Sequence, residues 1–239
     1  MEKPTATSIM PAPFASRRWM KGPWARALCL LAGGMLSAGA ASAKSPDLRF
    51  EAVFRPAPPR AHVHAVAEYR SADGEHHLEI WRRGSTLLRR DTDDRLTTVA
   101  RLRPNDPNFR MDLLDHRRRI HAVLDRDSLL RVGRFIDWND LAYSLRHPPL
   151  SYRLYRAASV PRTVKPVAPC TWYALDEAGH VSRICWSETE ALPIVILGPA
   201  GNTTFKIKAI DHRAFDDGIF RPDIRGYVRN DAVHDISGD

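Results

Sequence analysis

His62-Val63-His64-Ala65-Val66-Ala67-Glu68-Tyr69-Arg70, then Ser71-Ala72-Asp73-Gly74, then His76-His77-Leu78-Glu79-Ile80-Trp81-Arg82, is the stretch on which the reading of this chain turns. Val63, Ala65, Ala67 and Tyr69 recur at every second position, the period of a strand with one face on a core. Ser71 to Gly74 is a cluster of turn formers, so the second run should fold back on the first as an antiparallel neighbour. The same grammar continues through a turn at Arg83-Gly84, a run over 85–90, and a turn at Thr92-Asp93-Asp94. Leu96, Thr98, Ala100 and Leu102 then share a face. Pro104 to Pro107 interrupts, Phe109, Met111 and Leu113 resume, and His116-Arg117-Arg118 turns into Ile120, Ala122 and Leu124. Short strands joined by tight turns predict a meander of consecutive antiparallel neighbours.

The period then changes. Asp127 can cap a segment carrying Leu129, Val132 and Ile136, and Asp137 can cap a second with Trp138, Leu141, Ala142 and Leu145 at i, i+3, i+4 and i+7. Arg146 and His147 suit the C-terminal end of that second helix, and Pro148 stops it. Its apolar stripe needs a surface, and one face of the preceding sheet is the nearest. Strand signals return over 151–157, on both sides of Asp176-Glu177-Ala178-Gly179, and over 194–197 and 203–211. Beyond Pro222 the charged tail has no period. The fold class expected is mainly β with helices (α+β): a curved antiparallel half-barrel sheet covered by a helical lid.

The N-terminus alters how the totals are read. Arg17, Arg18, Lys21 and Arg26 precede the apolar run 27–36, and small residues lead to Ala41-Ser42-Ala43. That order is an export signal, too short to span a membrane. Both the general secretory route and, through Arg17-Arg18, the twin-arginine route fit. The division expected is a signal peptide at 1–43, a Pro-rich lead-in at 44–60, one β domain at 61–222 and a tail at 223–239. Removing 1–43 lowers the formal net charge from +8 to +4. Aspartate is interleaved with arginine nearly throughout, which argues against a nucleic-acid partner and leaves a transient membrane contact open. The expected location is the periplasm or beyond.

After the signal, Cys170 and Cys185 remain, an even count suited to one disulfide in an oxidising compartment. A hairpin centred on Glu177/Ala178 would set them directly opposite one another, whereas a bulge at Gly179 would turn them to opposite faces.

Few residues assemble into recognisable chemistry. His62 and His64 point to one side of a strand, with Glu68 on the same face and His76 or His77 on the paired strand, the weak beginnings of a metal site. Histidines on a half-exposed strand are more often plain surface residues. No nucleophile elbow or phosphate-cradling loop is present. Arg82-Arg83, Arg89-Arg90 and Arg117-Arg118-Arg119 fall at turns or strand ends, where solubility accounts for them at least as well as phosphate binding does. The aromatic set is more informative: Trp81, Phe109, Met111, Trp138, Leu141, Tyr143, Trp172 and Trp186 are the candidates to line a cavity between sheet and helix. The plainer reading of each is a filled core.

The order of these features, a signal, a long meander, a helical interruption and a return to strands ending in Leu192-Pro193-Ile194-Val195-Ile196 and Phe205-Lys206-Ile207, resembles the LolA-like group. That group comprises periplasmic lipoprotein carriers and relatives, including the lipoprotein-like domain of RseB-type regulators. The resemblance spans roughly residues 61–222 and carries no diagnostic motif, so no family site residue is transferred. It implies an open half-barrel, lidded by helices, that holds acyl chains without a cofactor. The function expected is therefore a non-enzymatic carrier of a lipid, acyl chain or lipoprotein. An envelope structural or regulatory module that binds a protein partner through its surface comes second, and a metal-dependent enzyme using His62 and His64 third.

Overall fold

The computed structural model describes residues 47–54, 60–103, 105–131, 137–159 and 164–231. The expected signal at 1–43 lies outside them, as do Val132 and Ile136 of the first expected helix. The strands are β1 (His62–Ser71), β2 (Gly74–Arg83), β3 (Leu87–Thr92), β4 (Leu96–Arg101), β5 (Arg110–Asp115) and β6 (Ile120–Asp125). After the helices come β7 (Tyr152–Arg156), β8 (Thr171–Glu177), β9 (His180–Ser187), β10 (Leu192–Leu197), β11 (Thr203–Asp211) and β12 (Val228–Asp231). All twelve form one open sheet in the order β12-β6-β5-β4-β3-β2-β1-β11-β10-β9-β8-β7. Two meanders, β1 to β6 and β7 to β11, are thus joined where β1 pairs antiparallel with β11. The sheet is mixed because β12 runs parallel to β6.

Alternation decides which face each side chain takes. Val63, Ala65 and Ala67 of β1 and Leu78 and Ile80 of β2 are closed to solvent on one side, here the core face, with Leu88, Ala100, Met111, Ile207 and Ile184 in the same cluster. The helices on this sheet are short: α1 (Phe50–Val53), α2 (Arg126–Arg131) and α3 (Trp138–Tyr143), of four, six and six residues. Among the described residues the broad helical cover expected from the sequence is reduced to these short helices of less than two turns. In α3, the Asp137 carboxylate accepts from Asn139 N, and Ser144 in the left-handed region (φ 56°) ends the helix short of Leu145. The lead-in supplies α1, whose Phe50 and Phe54 reach the core face through Tyr152, Tyr173 and Trp186.

The cysteine hairpin differs in register from the expected one. Ala178 and Gly179, both at positive φ (53° and 87°), form a two-residue turn, so Glu177 faces His180 and Trp172 faces Cys185. The centre moves one residue along, each pairing shifts by two, and the parity of the faces is kept. Cys170, just before β8, still bonds Cys185, with the Cα atoms 5.3 Å apart. Pro193 lacks an N–H for the ladder and sits where the β9–β10 register breaks.

The tail is structured where no period was visible. A 3-10 turn, Asp217–Phe220, and β12 carry the chain over the opposite, back face of β3 to β6. Val99, Leu114, Val123 and Phe220 are buried there, with Phe220 only 2% exposed. Arg83 pairs with Asp217, Arg89 donates to Ile219 O at 2.8 Å, and Arg101 donates to Phe220 O. Beneath them Asp112 bonds His121 (2.9 Å) and Arg101 (2.6 Å). Burial alone would raise the Asp112 carboxyl, but these two partners outweigh it and hold its pKa below the ordinary value.

Candidate functional site

In β2 the core-face series Leu78, Ile80 continues to Arg82, and in β3 Leu88 continues to Arg90. The register places Arg82 beside Leu88 and Arg90 beside Ile80, so two cations stand among aliphatic neighbours on one face. Arg82 is 1% exposed. An isolated charge there would be costly, and its position is explained by what it holds. Its Nη1 donates to Ala142 O and Ala191 O, each at 3.2 Å, and its Nη2 donates to Glu190 O at 2.5 Å. Its guanidinium also stands 5.0 Å from the Tyr143 ring centre. Arg90 Nη1 donates to Leu141 O at 3.2 Å.

Leu141 and Ala142 lie in the last turn of α3, where carbonyls have no partner within the helix. Two guanidiniums therefore fasten the C-terminal end of α3, the end that favours cations. Burial pushes both arginine pKa values down; Tyr143 and Glu190 oppose this at Arg82, and Tyr69 at Arg90. From such a high starting value both remain charged. Among the described residues neither has a carboxylate within ion-pair distance. The Glu190 carboxylate is turned instead to His212 (2.7 Å) and Arg60 (3.5 Å).

Below α3 the surface is apolar. Trp138, Leu141, Ala142 and Tyr143 are buried against the sheet, and the rings of Trp138 and Phe109 are 5.9 Å apart. Of the eight expected cavity residues, Phe109, Met111, Trp138, Leu141, Tyr143 and Trp186 belong to this side. The other two do not. Trp81 is on the back face, stacked on His64 at 4.8 Å with Arg89 5.4 Å above it. Trp172 opposes Cys185 on the back face and lines a shallow cleft with Pro166, Val167 and Ala168. The indole nitrogens of Trp138 and Trp186 are both buried without a hydrogen-bond partner among the described residues.

The histidines do not converge. His62 meets the Phe215 ring edge-on at 4.9 Å, and His64 Nε2 is 4.0 Å from the Glu79 carboxylate. Among the described residues no group of three or more His, Cys, Asp or Glu side chains could hold a metal ion. The back face does carry polar clefts. One of about 440 Å³ is lined by Arg89, Arg119, Arg221, Arg225, His116 and Tyr227 among others. Another of about 470 Å³ includes Arg101, Arg103, Arg110 and Arg229.

Arg82 and Arg90 are the candidate site residues that sequence reasoning passed over. Their signal was parity: each falls two places after a core-face aliphatic residue in its strand, a position a solubilising charge would avoid. The assignment of Arg82-Arg83 and Arg89-Arg90 to the solvated surface is corrected accordingly. In each dyad one arginine enters the core face and the other grips the back-face cover. No protein-family model and no curated protein matches this chain, so its function has to be argued from this geometry.

Proposed function

We propose that this protein is an exported, periplasmic carrier or binding protein for an acyl-bearing, apolar moiety, with a bent LolA-like sheet as its seat and α3 as the movable part of the cover. One observation carries the reading: Arg82 and Arg90 hydrogen-bond α3 only through its backbone carbonyls, over an underside that is otherwise apolar. A cover permanently welded to a core would need no cations at the weld. A cover that must lift benefits from bonds that water can replace.

The magnitudes are compatible with such a motion. Releasing α3 breaks two hydrogen bonds from charged donors, each worth about 1.5–3 kcal/mol. Burying an acyl chain returns about 0.8 kcal/mol for each methylene. A chain of about twelve carbons returns about 10 kcal/mol by that measure, enough to offset the two bonds, and it takes over the apolar sheet surface that Trp138 and Leu141 leave, so that the area they uncover is covered again. The unpartnered indole N–H groups of Trp138 and Trp186 add a second reason, because an ester or amide carbonyl could accept from a donor that otherwise has none.

A module that binds a protein partner through its surface is the second reading. It is favoured by the completeness of the packing, with Phe109 at 0% and Ala142 at 1% exposure. Hydrogen exchange separates the two. On addition of a medium-chain acyl amphiphile below its micelle concentration, the carrier reading expects faster exchange in α3 and unchanged exchange in β4 to β6. Unchanged exchange in both regions at saturating amphiphile would favour the partner-binding module.

A further inference from the structure

We infer that Arg82 and Arg90 form the receptor for an anionic group at the end of the apolar ligand, so that the same two guanidiniums that hold α3 shut take the ligand's head once it opens. This rests on the carrier reading and adds the chemical class of the ligand. The three arginines that grip the back-face cover are each paired: Arg89 is bonded by both oxygens of Asp91, Arg83 pairs with Asp217, and Arg101 with Asp112. On the core face Arg82 and Arg90 have only neutral carbonyl acceptors and the face of Tyr143. Arg82 Nε is buried with no acceptor among the described residues.

Two neighbouring cations beneath an apolar cover, neither with a carboxylate at ion-pair distance among the described residues, suit a negatively charged group. Carboxylate and phosphate oxygens accept from a guanidinium about twice as strongly as a neutral carbonyl does. An anionic head therefore competes with Leu141 O and Ala142 O for the donors that fasten α3, and its arrival frees the helix. Arg82 keeps its bonds to Glu190 O and Ala191 O, in the turn between β9 and β10, and so stays in position throughout. An uncharged chain has no such exchange to offer and must lift α3 on apolar burial alone.

Titration calorimetry of the whole chain with dodecanoate, dodecyl phosphate and dodecanol, each below its micelle concentration, tests this. The two anions should bind at least about tenfold more tightly than the alcohol, a difference of about 1.4 kcal/mol. Preference between them tells a fatty acid from a phosphate-headed lipid. Arg90→Gln should reduce the anion preference to less than about threefold while leaving dodecanol affinity unchanged or tighter, since the latch is weakened. Arg82→Lys, which keeps the charge in place, provides the second variant and should retain a preference for the anions. Equal affinity for all three ligands, or a preference that survives Arg90→Gln intact, overturns the head-group assignment and leaves the carrier reading standing. Binding of none of them overturns both.

Discussion

The two faces of this sheet are covered by the same device and differ in what lies beneath it. On each face a short turn of helix is pinned by arginines that donate to its backbone carbonyls: Arg82 and Arg90 to α3, Arg89 and Arg101 to the 3-10 turn that ends at Phe220. The alternating geometry of β2 and β3 makes this possible, because adjacent arginines in a strand point to opposite sides. On the back face each cation has its own carboxylate, and the cover continues into β12, hydrogen-bonded along β6. On the core face, among the described residues, the cations have no carboxylate at ion-pair distance, and the chain leaves α3 for β7, at the opposite edge of the sheet from β12. On the proposed reading one cover is a permanent closure and the other a latch. Neutralised charge and a ladder resist opening, whereas carbonyl bonds to an uncompensated cation can be exchanged for something better.

The largest effect that could break this comparison is expected at Arg82. Arg82→Ala strands three buried carbonyls and should cost on the order of 4 kcal/mol in urea unfolding. Arg89→Ala, whose bond to Ile219 O is only part of a longer strap, should cost about 1 kcal/mol. Equal losses would remove the distinction between the faces. Phe220→Ala should cost about 3 kcal/mol and speed amide exchange in β12 while leaving α3 untouched. Exchange that rises in both places would mean the two covers are one cooperative unit.

The smallest effect lies at the tip of the β1–β2 hairpin, away from both covers. His76 Nδ1 is 2.9 Å from Asp93 Oδ2, with Asp73 at 3.2 Å from Nε2, and these partners hold the imidazole pKa above its usual 6.5. A group whose pKa is raised on folding contributes fully below about pH 6.5 and loses that contribution as pH rises through its elevated value. In a proton NMR titration Asp93→Asn should lower the His76 midpoint without altering exchange in either cover. A change in α3 would tie the hairpin tip to the latch.

Much of the sheet was legible because period-2 alternation and turn chemistry act locally. The β1–β6 meander and β11 over residues 203–211 follow the sequence closely. Apolar character marks Phe109, Met111, Trp138, Leu141, Tyr143, Trp172 and Trp186 as buried, and all seven join one cluster. Which face Trp81 and Trp172 take is set by register, which aromatic character does not reveal. The back-face cover was invisible for a different reason. Its residues are held by arginines far away in sequence and by an edge strand whose own side chains are exposed, so nothing in 217–231 needs an apolar period. The hairpin register hinged on whether Glu177 or Ala178 opens the turn, a difference of one residue that composition leaves undecided.

Native mass spectrometry of the protein released from the envelope without harsh detergent tests the central claim most directly. The account expects a one-to-one adduct with the mass of an acyl-chain lipid, displaced by added dodecanoate. Bare protein under conditions that preserve a known lipid carrier's cargo would contradict it, and α3 would then be simply the roof of a filled core.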